Sequence, residues 1–280
     1  MGLPKIIVDG GLAHRSFEVM SEVGPGGTWI PSGSPLVISS ESASDTVAGK
    51  RVLQIVNPDG GGVKQENVAV ARFLPALAGG LWGAQIWIKT GGSLTATVTV
   101  KIYNAQGTLI RNESTATVID APSWKSVSTT VVAVANSYKA TVHYEFTGSG
   151  TVLCDLAAFG PVVVFDLPWS KYQASVAPLA QSSRSIEGVV NTQFLADVSR
   201  LSIATAPEDA TVRGYMEDAH EYLMRGATFD AYPDVDSSDK VFVNYVRPGL
   251  PIEHVQGKGR ELYMWGFDAE KQELAPGAFL

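Results

Sequence analysis

From Leu94 to Tyr103 the chain alternates without a break: Leu94, Ala96, Val98, Val100 and Ile102 interleave with Thr95, Thr97, Thr99, Lys101 and Tyr103. A period of two sends successive side chains to opposite faces, so this segment is a strand with one buried and one wet face. Segments at 51–56, 84–89, 127–134, 140–146 and 151–156 behave similarly. Between them lie Asn57-Pro58-Asp59-Gly60-Gly61-Gly62, Gly79-Gly80, Gly91-Gly92 and Gly148-Ser149-Gly150, which supply tight turns. No long helical period occurs before residue 205. Short strands at this spacing predict a β-sandwich jelly roll.

Prolines 161, 168 and 178 then punctuate the sequence and predict a crossing between domains, with 162–165 as a last strand. Residues 191–204 read as a long strand whose phase shifts, predicting a bulge near Ser199. A helix is expected over 207–225. Thr205 and Glu208 have capping-box spacing, and Val212, Tyr215, Met216, Ala219 and Leu223 fall on one face. Gly226 is a natural stop. A strand follows at 240–246, and Tyr263, Trp265 and Phe267 alternate in the tail. The expected fold class is mostly β: an N-terminal β-sandwich jelly roll and a small α+β module with one main helix. The boundaries are 1–164 for the jelly roll, 165–180 for a linker, 181–250 for the α+β module and 251–280 for a C-terminal extension.

The 280 residues carry a net charge of −7, which gives no basic footprint for nucleic acid. No run approaches the ~20 apolar residues that span a bilayer. The start lacks the apolar region of a secretory signal, so the expectation is a protein made in a cytoplasm without membrane insertion. The one cysteine, Cys154, lies in an apolar run and reads as a buried small side chain.

Catalytic patterns fail residue by residue. His220-Glu221 opens like a zinc-protease motif, but Met224 stands where the second histidine belongs. Asp230, Asp234, Asp236 and Asp239 suggest a calcium loop, yet Asp239 occupies the position that needs glycine. Neither a nucleophile elbow nor a phosphate-binding glycine loop is present. The chain is therefore expected not to be an enzyme. Aromatic faces beside polar strand residues suit sugar rings, and Gln85, Trp87, Tyr103, His143 and Glu145 form the candidate glycan face.

Two resemblances extend this reading. Ser16-Phe17-Glu18, 49–55, 84–89, 123–127 and Val152-Leu153-Cys154-Asp155-Leu156 occur in the order and spacing of calcium-containing jelly-roll carbohydrate-binding modules, which 6–164 resembles. That resemblance implies a structural Ca2+ held by Glu18 and Asp155, although Cys154 replaces a second acidic residue that such modules often show. Residues 180–247 are similar to a small module of bacteriophage tail proteins. They share Ser185-Ile186-Glu187-Gly188, a helix, Arg225-Gly226 and Phe229-Asp230-Ala231-Tyr232-Pro233-Asp234. This implies a structural protein of the virion tail or baseplate, made in the bacterial host. It would assemble as a homo-oligomer with other phage tail proteins through Tyr215, Phe229 and Tyr232, the jelly roll meeting a host cell-surface glycan. A secreted or enzyme-associated carbohydrate-binding protein and a capsid decoration protein are the alternatives.

Overall fold

The computed structural model describes residues 3–9, 17, 28–33, 37–42, 46–47, 51–56, 60–69, 80–120, 122–184, 190–224, 227–232, 242–246, 253–257 and 260–271. In chain order the strands are β1 (Lys5–Asp9), β2 (Ile30–Ser32), β3 (Val37–Ser42), β4 (Arg51–Val56), β5 (Gly61–Ala69), β6 (Leu81–Thr90), β7 (Leu94–Tyr103), β8 (Leu109–Ile119), β9 (Lys125–Val132), β10 (Lys139–Thr147), β11 (Thr151–Val164), β12 (Lys171–Arg184), β13 (Val190–Ala204), β14 (Thr228–Tyr232), β15 (Phe242–Val246), β16 (Glu253–Gly257), β17 (Arg260–Met264) and β18 (Gly266–Lys271). The helix α1 (Ala210–Met224) separates β13 from β14. It is the sole helix among the described residues and is not long and apolar enough to cross a membrane.

The strands form a sandwich. A five-stranded sheet runs β2-β5-β10-β7-β8. The facing sheet is organised by β11, which carries β6 and then β9 on one edge. On its other edge β11 pairs with β4 over 151–154 and with β1 over 162–164. Its side chains are buried along nearly the whole length, as its continuous apolar run requires. The partner change coincides with a bulge between Asp155 and Ala158 opposite β6, where Leu156 adopts φ +43°. Asp155 resolves the local hydrogen bonding. Its fully buried carboxylate accepts the Leu156 N–H at 2.7 Å and the Val47 N–H at 2.7 Å.

The large sheet continues past the expected domain boundary. β1 pairs on its far edge with β14, and the order proceeds through β15, β18 and β13 to β12. Residues 171–180, expected in a linker, belong to β12. Pro178 is tolerated there because β12 ends the sheet, and Pro161 lies in β11 just before pairing with β1 begins. The bulge in β13 lies between Phe194 and Ala196 rather than near Ser199.

Asp209, rather than Thr205, caps α1: its carboxylate accepts the N–H of Thr211 at 2.8 Å and of Val212 at 3.0 Å. Thr205 and Glu208 serve tertiary contacts instead. The Thr205 hydroxyl accepts the Trp265 N–H at 2.9 Å, and the Glu208 carboxylate accepts those of Asp166 and Leu167, both at 3.3 Å. The buried helix face is Val212, Met216, Ala219, Tyr222 and Leu223. It packs into the same continuous core as the sandwich, which holds Trp82, Phe159, Val98 and Tyr144 together with Phe229 and Trp265.

One group on α1 works against the fold. Asp218 is half-buried beside Glu221 and Glu217, and burial first, then these two carboxylates, push its pKa up from 3.8 to about 6. A raised acid stabilises the folded state in full below its unfolded pKa near 3.8 and loses that contribution as pH rises through about 6. Asp218→Asn is therefore expected to stabilise the protein by ~1 kcal/mol at pH 7.5, after allowing for solvent screening, and to change nothing at pH 3.5. Thermal melts of both proteins at the two pH values check this.

Candidate functional site

The proposed glycan-face residues divide between two sheets. Gln85 and Trp87 lie on β6, on the outer side of the large sheet, and both are buried. Trp87 stacks on Tyr232 of β14 with centroids 6.3 Å apart, within an apolar cluster of Ile7, Leu156, Ala158 and Val162. Gln85 accepts a hydrogen bond from Lys5 Nζ at 3.0 Å and donates one to the Tyr232 hydroxyl. The Lys5 ammonium stands 5.0 Å above the Tyr232 ring. Burial pulls its pKa down to about 8 and Asp230 opposes that shift. These side chains lock β1, β6 and β14 together and are not displayed to a ligand.

Tyr103, His143 and Glu145 do share a surface, the outer face of the five-stranded sheet. The register aligns Lys64 of β5, His143 of β10, Thr99 of β7 and Ser114 of β8 in one row. Glu145 lies opposite Thr97 in the next row. The Thr99 and Ser114 hydroxyls are 3.0 Å apart, and Lys64 pairs with Glu66. His143 Nδ1 is 3.8 Å from Glu145 Oε1. Burial first and Lys101 next lower the His143 pKa, with Glu145 acting against them. The imidazole is therefore neutral at pH 7 and offers one donor and one acceptor. Two rows away on the same face, where Lys139 lies opposite Tyr103, the Lys139 ammonium stands 5.8 Å from the Tyr103 ring centroid. Lys64, Thr99 and Ser114 were missed in the sequence. Thr99 was visible as an outward residue of β7, whereas Lys64 and Ser114 enter only through strand pairing.

Beneath this face an aromatic column joins the two sheets. Phe17 (φ +57°, fully buried) lies 4.9 Å from Trp29, which lies 5.9 Å from Tyr144. The Tyr144 hydroxyl donates across the sandwich to the carbonyls of Gln85 at 3.0 Å and Ala158 at 3.4 Å. Alternate residues of β10 face this column and the outer surface.

Of the two expected calcium ligands, only Asp155 is among the described residues. Glu18 lies outside the described residues, and each oxygen of Asp155 is engaged by a backbone amide. Among the described residues, no three or more His, Cys, Asp or Glu side chains are placed to hold a metal. Cys154 is buried, and burial, reinforced by Asp155, pushes its thiol pKa well up. His220 is partly buried and packs edge-on against Trp265 at 6.0 Å.

The residues expected to mediate assembly also turn inward. Phe229 and Tyr232 are buried, and Tyr215 packs partly buried against the core. The α+β module buries its apolar faces on the chain's own jelly roll, through β1. Ser185-Ile186-Glu187-Gly188, Arg225-Gly226, Pro233-Asp234, Asp236, Asp239 and His14 lie outside the described residues.

No family model and no curated protein matches the chain. It is similar to the CBM22-1 and GH10 modules of Clostridium thermocellum endo-1,4-beta-D-xylanase 10B, solved with xylohexaose. The identity is 16% over 54% of this chain and 28% of that one, with a TM-score of 0.42. It is similar to the CBM22-1 xylan-binding domain of Paenibacillus barcinonensis Xyn10C, at 14% identity over 52% of this chain and 90% of that one, TM-score 0.40. It is also similar to the enzymatically active domain of bacteriophage CBA120 tailspike protein 4, at 10% identity over 54% of this chain and 21% of that one, TM-score 0.42. The chain thus spans under a third of the xylanase and tailspike structures.

Proposed function

We propose that the chain is a non-enzymatic glycan-contacting structural protein whose ligand lies across the outer face of the five-stranded sheet. The observation that carries this is the row Lys64, His143, Thr99 and Ser114, with Glu145 one row to one side and Tyr103 two rows to the other. Its ammonium, imidazole and hydroxyl groups donate and accept hydrogen bonds, and an aromatic side chain stands two rows away on the same face. Sugar hydroxyls both donate and accept, and a sugar ring presents an apolar face to an aromatic ring.

Placement on a phage tail or baseplate is the finer part of the proposal and rests on the sequence resemblance of 180–247. Because β14 and β1 are adjacent strands of one sheet, a module fixed in the tail would hold the glycan face in a set orientation. A secreted carbohydrate-binding protein would use the same face, and labelling of intact particles with antibody to this chain separates the two. Structural Ca2+ would draw on Asp155 and Glu18.

Tyr103→Ala and His143→Ala are each expected to lower affinity for the best glycan on an oligosaccharide array about tenfold. Calorimetric titration measures the loss, and the melting temperature should change by no more than about 3 °C, since both side chains lie on the outer face. Undiminished binding by both variants would remove this face from the function.

A further inference from the structure

A second surface at one end of the sandwich combines sugar-compatible groups away from the His143 row. The turn joining β7 to β8 and the turn joining β9 to β10 meet there, tied by the Tyr138 N–H donating to the Tyr103 carbonyl at 2.8 Å. Between them is an open depression of about 450 Å3 lined by Asn104, Ala105, Gln106, Asn136, Ser137 and Tyr138. The lining contains no charged side chain.

Its groups are held before any ligand arrives. The Asn104 side-chain oxygen accepts the N–H of Gln106 at 3.1 Å and of Thr108 at 2.8 Å, which leaves its Nδ2 as a donor. Ser137 Oγ donates to the Val134 carbonyl at 2.7 Å. Asn136 takes φ +69° and Gly107 φ +82°, conformations that keep both turns tight. Tyr138 is 49% exposed, while Tyr144, Tyr222, Tyr232 and Tyr263 are all buried. An aromatic side chain held out in water beside three exposed or partly exposed amides matches an uncharged ring bearing several hydroxyls. The volume falls within the range of small-molecule sites.

We propose that this depression is a separate subsite for one neutral pyranose ring, stacked on Tyr138 and hydrogen-bonded by Asn104, Gln106 and Asn136. The ligand class rests on the glycan reading of the sheet face, but the subsite binds independently of that face. A single ring suffices because the depression is closed on two sides by the turns.

The test is a two-dimensional NMR titration of the isotope-labelled full chain. The probes are methyl α-glucoside, methyl β-galactoside, methyl β-xyloside and N-acetylglucosamine, each taken to roughly 50 mM so that millimolar affinities register. Saturable shifts are expected at the backbone amides 104–108 and 136–138 and at the side-chain amides of Asn104, Gln106 and Asn136. Tyr138→Ala and Asn136→Gly should each reduce them at least fivefold. Asn136→Gly suits the positive φ and is not expected to disturb the fold. No shift there with any of the four probes, or equal shifts in both variants, overturns the proposal. Shifts at His143 and Thr99 without shifts at the turns would sink the subsite and spare the sheet face; the converse would spare the subsite alone.

Discussion

Gly62→Ala is expected to prevent the five-stranded sheet from closing. A Cβ at Gly62 would stand 1.8 Å from the Tyr144 carbonyl oxygen and 2.8 Å from the Glu145 Cα. Both atoms are backbone of β10, with which Gly62 pairs opposite Glu145. No side chain can rotate to make room, so β5 and β10 must separate. That would displace Tyr144 from the aromatic column and dismantle the His143 row. The expected cost exceeds ~3 kcal/mol, a large part of the 5–15 kcal/mol typical of a whole domain. For a chain of this size it should lower the melting temperature by about 10 °C or leave the protein insoluble. Gly92→Ala is the control, because a Cβ there meets nothing within 4 Å. Circular-dichroism melts of the two variants should differ sharply; a Gly62→Ala protein melting within about 3 °C of the parent would contradict the packing described.

The second large effect is expected at Trp82, which joins the sandwich to the helix. Its ring lies 5.3 Å from Phe159 of β11 and 5.9 Å, edge to face, from Tyr222 of α1, and it is only 2% exposed. Trp82→Ala would leave a cavity where the two parts of the core meet and cost about 3–5 kcal/mol. Trp82→Phe separates packing from chemistry. The indole N–H is buried without a hydrogen-bond partner among the described residues, so phenylalanine removes an unsatisfied donor along with some contact area. Its net cost should be about 1 kcal/mol or less. Urea unfolding of the three proteins measures both quantities. A Trp82→Phe loss as large as that of Trp82→Ala would show that the indole N–H is paired in solution.

Gly62 acts inside one sheet, whereas Trp82 acts where the sandwich meets the helix. Under the expected domain division, damage at Trp82 should have been confined to the jelly roll. The shared core instead predicts that it also loosens α1. Limited proteolysis of Trp82→Ala should therefore show earlier cleavage in 205–225 as well as within the sandwich.

Much of the local structure was legible in the residues. β7 and β4 occupy the predicted segments to the residue, because alternation is read one strand at a time. The helix face was nearly right, with Tyr222 buried where Tyr215 was expected. Errors arose wherever a residue's partner lies far along the chain. Thr205 and Glu208 match a capping box, but Trp265, Asp166 and Leu167 offer them longer-range bonds, and Asp209 takes over the cap. Gln85 and Trp87 share a strand pattern with Tyr103 and His143, yet strand order puts them on the opposite sheet against Tyr232.

Residue periodicity made legible the strands, the helix over 207–225 and the apolar face of most strands. Periodicity is a property of neighbouring residues and survives in any fold the chain adopts. Only the tertiary structure decided that β1, at the start of the chain, is the seam between jelly roll and C-terminal module. Ile7 pairs on one side with Val162 and on the other with Asp230. Pairing across such separations depends on which edges remain open once the other strands are placed, and no local pattern records that. The same reason moved Phe229 and Tyr232 from an assembly surface to the chain's own interior, and set the row through His143 on the outer face of the five-stranded sheet.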